Sequence, residues 1–236
     1  MLWRSGLLKA ILFLLVLSIF ASFALSSANI GQPYKLFWDL LLFVQAFWLH
    51  ALALLWAYEL AKNEQLLRLA RLPLSTPMSR SRYEASRFLA LALAFSPLLL
   101  LLAAINTVLA NGMVAWQGAL FGLSALLAGF LVLTLARFFA PVSAVLYATA
   151  LVVVGNGLDE LYLYAGFQES IGLLDPVAKL LYIALPNFSL FDHQSAAVAG
   201  LLPDFWSFAG LPVSYALLMG AALLALSVWR LRKTAI

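Results

Sequence analysis

Few side chains in this chain of 236 residues could do chemistry, and they are widely scattered. There are two histidines, His50 and His193, and no cysteine. A thiol nucleophile, a disulfide framework and a zinc–thiolate site are therefore excluded, and two histidines are too few for a histidine-rich metal centre. No GxxxxGK[ST] phosphate loop occurs, so the chain carries no usual means of hydrolysing ATP, and neither HExxH nor GxSxG is present. An intramembrane serine protease would set a serine and a histidine on neighbouring spans, but no Gly-flanked serine motif accompanies His50. Asp159 and Glu160 together with His193 are the one set that could do acid–base work, and metal dependence would be its signature. The sequence thus nominates no catalytic residue and no metal ligand.

The elements that must position these groups are helices in lipid. The residues are 65% hydrophobic and 10% charged, with a mean hydropathy of +1.00. A soluble fold cannot hide that much apolar surface. The expected class is an all-α integral membrane protein of about six spans, near 7–27, 36–60, 88–110, 117–138, 140–157 and 213–231, forming a single domain. Arg4, Lys9 and Ser26-Ser27-Ala28 give the first run the look of a signal peptide. It outlasts the roughly 7–15 apolar residues of such a segment, so a retained anchor is expected. Twelve of the 14 Lys and Arg residues fall on one side of this layout, with only Lys35 and Lys179 opposite. The positive-inside rule then places both termini in the cytoplasm. It also accounts for the net charge of +4 without nucleic acid. The long outer segment 158–212 is broken by Pro176, Pro186 and Pro203. Its short apolar stretches suit either re-entrant helices buried in protein or a cap lying on the membrane.

On the second span, Trp38, Gln45, Trp48, Leu49, Leu52, Trp56 and Glu59 share one helical face. An aromatic stripe with polar interruptions suits a face turned to protein or to a substrate path, and Gln45, Trp48, Leu52 and, on the fifth span, Asn156 are the candidate pathway residues. Trp38 and Trp56 equally suit a membrane-interface belt. His50, on the opposite face, reads as a hydrogen-bonded packing residue. Glu59 is an acid at the membrane border and needs a cationic partner, whereas Lys62 and Glu64 read as solvated surface. Gly155, Asn156 and Gly157 would let the fifth span bend or break, or serve packing only.

The most charged stretch is a basic hairpin, 62–87, centred on LLRLARLPLSTPMSRSRYEASRF. Leu66, Leu67, Leu69 and Leu72 form a short amphipathic turn that Pro73 and Pro77 stop. Ser79 is placed to cap the next helix, with Arg82 in its first turn. Six cations would hold anionic headgroups whatever else the hairpin does.

The run Leu74-Ser75-Thr76-Pro77-Met78-Ser79-Arg80, with Glu59 before it and the leucine-rich turn between, resembles the second cytoplasmic border of type-2 ABC exporter permeases. Leu185-Pro186-Asn187-Phe188-Ser189-Leu190-Phe191-Asp192 is similar to a second recurring element of that family, between the fifth and sixth spans. The approach to the first span is short for the family's amphipathic helix, and the glycine often found between the acid and the leucine-rich helix is absent. The resemblance implies a transmembrane permease subunit in a bacterial inner membrane. It would pair with a second copy or a related permease and be driven by a separate cytoplasmic ABC ATPase that holds the ATP and Mg. The hairpin would be the coupling element, contacting the ATPase through Leu67, Leu69, Arg71, Thr76, Pro77 and Arg80, and cargo would pass between the second and fifth spans. An intramembrane enzyme acting on lipids, or a non-transporting membrane assembly partner, are the competing expectations.

Overall fold

The computed structural model describes residues 13, 16–17, 19–24, 27, 33–66, 79–109, 112–158, 176, 185–199 and 206–233. Among them there is no strand, and four helices are long and apolar enough to cross a membrane. They are α1 (Pro33–Leu66), α2 (Arg80–Leu109), α3 (Gly112–Leu135) and, last in the chain, a helix over Leu211–Lys233. A shorter helix, α4 (Pro141–Asn156), follows α3. A 3-10 turn at Ser189–Phe191 and a one-and-a-half-turn helix, α5 (Gln194–Ala199), come next. A π-helical turn at Trp206–Gly210 then runs directly into the last helix, α6 (Leu211–Lys233). The described residues of the first expected span, Phe13 through Ser27, are helical. The chain is a membrane protein, and its described residues form helices joined by turns and short connections.

Two helices differ in length from a simple membrane span, though α4 keeps the bounds expected of it. At 16 residues, α4 rises about 24 Å, short of the roughly 30 Å of a hydrocarbon core. By contrast α1, with 34 residues, rises about 51 Å and must project beyond the lipid at one end. That end carries Glu64 on α1, Arg80, Arg82, Glu84 and Arg87 on α2, Arg137 just past α3, and Arg230, Arg232 and Lys233 on α6. It is the basic end of the bundle.

Helix α3 is the axis. In its most apolar stretch 72% is buried, against 22% for α6 and 28% for α2, and α1, α2, α4 and α6 all pack on it. The core joins Leu41, Leu49, Leu52 and Trp56 of α1 to Leu91 and Phe95 of α2 and Leu120, Ala128 and Val132 of α3. Trp56 meets Phe95 edge to face, with ring centroids 5.9 Å apart. The aromatic stripe of α1 therefore faces protein: Trp38, Gln45, Leu49, Leu52 and Trp56 are all buried. Trp38 and Trp56 do not form an exposed interface belt. The outward faces present Leu93, Leu100, Leu146, Leu217 and Leu218, as a helix facing lipid requires.

Ser79 starts α2 as expected: its hydroxyl accepts the Arg82 backbone N–H at 3.3 Å, and its carbonyl accepts that of Tyr83 at 3.1 Å. The glycines ending α4 act differently from a hinge. A Cβ on Gly155 would lie 2.2 Å from the Pro186 carbonyl oxygen, and the Phe188 N–H donates to the Gly155 carbonyl at 3.2 Å. Gly155 is a notch into which the 186–188 backbone settles.

Candidate functional site

Four charges close into a ring at the basic end. Arg87 bridges Glu64 at 2.9 Å and Glu84 at 3.2 Å. Arg137 bridges the same two acids, Glu64 at 2.7 Å and Glu84 through its Nη2. The Ser227 hydroxyl donates to Glu84 at 2.8 Å, bringing in α6. All four side chains are about nine-tenths buried or more, and that of Glu84 is fully buried. Two acids and two arginines leave the ring neutral, which is how charge is held at low exposure. Burial alone pushes the Arg137 guanidinium down, but the charges and hydrogen bonds of Glu64 and Glu84 overcome this and hold it above its ordinary value. The Tyr83 ring lies beside it, 5.8 Å from the guanidinium carbon.

This ring corrects the reading of Glu64 as solvated surface. Its neighbours Lys62 and Asn63 are exposed, yet Glu64 turns inward toward Arg137, 73 residues on. Glu59 is half-buried and has no ion pair among the described residues. The acids that meet arginine at this border are Glu64 and Glu84.

At the other end, polar side chains clamp the connection before α6. The Gln117 amide donates to the Phe191 carbonyl at 2.8 Å and accepts the His193 backbone N–H at 3.1 Å. Gln194 of α5 donates to the Asp39 carbonyl at 3.0 Å, and the Tyr215 hydroxyl accepts the Asn187 N–H at 2.7 Å. With Ala197 of α5 fully buried, this part of the 158–212 segment is built into the bundle. One turn inside it, Gln45 and Asn106 exchange two amide hydrogen bonds of 3.0 Å. Gly118 makes room for them: a Cβ there would come within 2.6 Å of the Asn106 nitrogen.

Between these ends lies a cleft of about 650 Å³, walled by Phe43, Phe47 and Leu54 of α1, Phe121 of α3, Val153 of α4 and Phe188. His50, Ser124, Thr149, Asn156, Asp192 and Gln194 add polar atoms to apolar walls. His50 bonds to the Ala46 carbonyl at 2.8 Å and to the Ser124 hydroxyl at 3.0 Å, so it ties α1 to α3 as a packing histidine while lining the cleft. An apolar cavity with a few convergent polar groups suits an amphipathic or largely apolar guest.

Of the pathway candidates, Asn156 lines this cleft. Gln45 and Leu52 are buried on the other side of α1, and half-buried Trp48 stacks edge to face on Phe47 at 5.2 Å. The face that borders the cleft is that of Phe43, Phe47 and His50. It escaped the sequence reading because it looks simply apolar. Of the coupling candidates, Arg80 donates to the Arg232 carbonyl at 3.1 Å. Leu67, Leu69, Arg71, Thr76 and Pro77 lie outside the described residues, as do Asp159 and Glu160. His193 sits beside Phe208, ring centroids 5.5 Å apart. No group of three His, Asp or Glu among the described residues is arranged to hold a metal ion.

Compared with known proteins, the chain matches no family model, no curated protein and no solved structure.

Proposed function

We propose that this chain is the transmembrane permease subunit of an ATP-binding-cassette exporter, working as a pair in a bacterial inner membrane with its basic end and both termini in the cytoplasm. Residues 67–78, between α1 and α2, contact a separate ATPase subunit, and cargo moves along the α1–α4 side of the bundle. The observation that carries this reading is the buried charge ring. It ties both roots of the 67–78 connection, Glu64 on one side and Glu84 and Arg87 on the other, to Arg137 beyond α3 and Ser227 on α6. A push on that connection would therefore be shared by four helices, which is what a lever between an ATPase and a two-state bundle needs. The cleft of about 650 Å³ flanking α1 and α4 supports the cargo side.

The test is purification of the full chain in mild detergent. An ABC ATPase should accompany the wild type and show turnover that depends on it. Leu69→Asp should lose the partner, because buried apolar anchors dominate small interfaces, while Arg68→Gln should keep it. Recovery of the wild-type chain without any ATPase overturns the proposal.

A further inference from the structure

The cleft beside α1 and α4 is largely apolar along its depth and acidic at its mouth. Its α1 wall is one helical stripe, Phe43, Phe47, His50 and Leu54. Leu54 is eleven residues beyond Phe43, so the stripe is about 16 Å long. Phe121 and Phe188 add their rings to those of Phe43 and Phe47. The mouth lies at the end away from the charge ring, where Asn156 finishes α4 and Asp192 and Gln194 lead into α5.

There Gln194 stands between two carboxylates. Its backbone N–H donates to Asp192 Oδ1 at 3.1 Å, and its side-chain amide donates to the Asp39 carbonyl at 3.0 Å and to Asp39 Oδ1 at 3.3 Å. Asp192 is exposed and itself lines the cleft, and Asp39 sits one turn before Phe43 on the same stripe of α1. Neither carboxylate has an ion pair among the described residues, and no Lys or Arg among them lines the cleft. Lys35, a turn earlier on α1, is exposed and pairs with neither. In the sequence, the start of α1 and the connection from α4 to α6 together hold seven of the ten acids and two of the fourteen Lys and Arg residues. Their charge bias is opposite to that of the basic end and draws cations.

We infer that the α1–α4 cleft takes an amphipathic organic cation, with its apolar body between the phenylalanine walls and its charge at the Asp39–Gln194–Asp192 mouth. A quaternary or delocalised cation suits it, because aromatic walls favour such charges and the carboxylates oppose an anion. The volume of about 650 Å³ admits a body of drug size. That the guest is cargo rests on the transport reading above; that it binds does not.

The experiment uses the full chain in nanodiscs of neutral phosphatidylcholine, with empty nanodiscs as background, and reads binding by equilibrium dialysis. Tetraphenylphosphonium and tetraphenylborate, dialysed separately, share size and shape and differ in the sign of their charge. The cation should bind saturably and about tenfold or more tightly than the anion. Asp192→Asn keeps an oxygen to accept the Gln194 N–H and should weaken the cation about fivefold, the scale of one exposed charge pair. Adding Asp39→Asn should weaken it again by a similar factor. Ala51→Phe narrows the cleft without altering charge and should weaken the cation about tenfold or more; it carries the test if the asparagine variants do not fold. Cation binding no greater than to empty discs, equal binding of the two ions, an unchanged affinity in Asp39→Asn/Asp192→Asn or undiminished binding in Ala51→Phe overturns the inference. Binding needs no ATPase, so the two readings fail separately. A chain that binds the cation yet recovers no ATPase refutes transport alone, and one that recovers its ATPase but binds no cation refutes this inference alone.

Discussion

Replacing Glu84 by glutamine probes the charge ring at its most buried member. The substitution keeps the side chain's shape and removes one negative charge, so Arg87 and Arg137 are left facing Glu64 alone. Both guanidiniums are nearly enclosed, with side-chain exposures of 9% and 11%, and water cannot make good the loss. Breaking a buried pair in this way costs about 3–5 kcal/mol. For a chain of this size that corresponds to a fall in Tm of roughly 10 °C, taking about 2–4 °C per kcal/mol. Intrinsic tryptophan fluorescence of the detergent-solubilised protein, followed on heating, reads the change. Glu59→Gln, at a half-buried acid with no ion pair among the described residues, should leave Tm within about 2 °C of wild type, as for substitutions that break no buried network. The double variant Glu84→Gln/Arg137→Gln restores neutrality and should be less destabilised than the sum of its parts, by about 1–3 kcal/mol. Strictly additive losses, or a Glu84→Gln variant as stable as wild type, would refute the ring as a coupled unit.

Gly155→Ala should push the Pro186 carbonyl away and loosen the 186–191 segment, lowering stability by about 1–3 kcal/mol and raising hydrogen exchange at Phe188. Unaltered exchange there would show that the notch is not required. Asn106→Leu should strand the Gln45 amide and destabilise the bundle by about 1–3 kcal/mol, whereas Gln45→Leu/Asn106→Leu should recover much of that loss in the same melting assay. For topology, single cysteines are convenient because the chain has none of its own. Cysteines placed at 78 and 235 should be shielded from an impermeant thiol reagent outside intact cells while one at 170 reacts, and labelling at 78 would invert the proposed orientation.

What the sequence made legible were features that depend on near neighbours. The Ser79 cap, the helical face of α1 turned to protein and the packing role of His50 all follow from spacing within one helix. Features made by distant helices were not legible. Glu64 looks solvated beside Lys62 and Asn63, and only the meeting of α1, α2 and the end of α3 supplies its arginines. Gly155 left a bend and simple packing both open in the sequence, and the structure uses it for packing. Its use as a notch depends on a carbonyl 31 residues later. The cleft face of α1 lacked any signal, since Phe43 and Phe47 are simply apolar in the sequence and become a cleft wall only with α4 beside them.

The charge ring also has a consequence for how the chain is made. Synthesis delivers its members in the order Glu64, Glu84, Arg87, Arg137, with Ser227 last. Until Arg137 emerges, Glu64 and Glu84 have only one of the two arginines of the ring, although the hairpin around them is basic as a whole. Had α3 been threaded the wrong way round, Arg137 would sit on the far face of the bilayer and the ring would stay open. Closure of the ring thus requires the ends of α1, α2 and α3 to stand on the same side, and its last member, Ser227, joins only when α6 is in place.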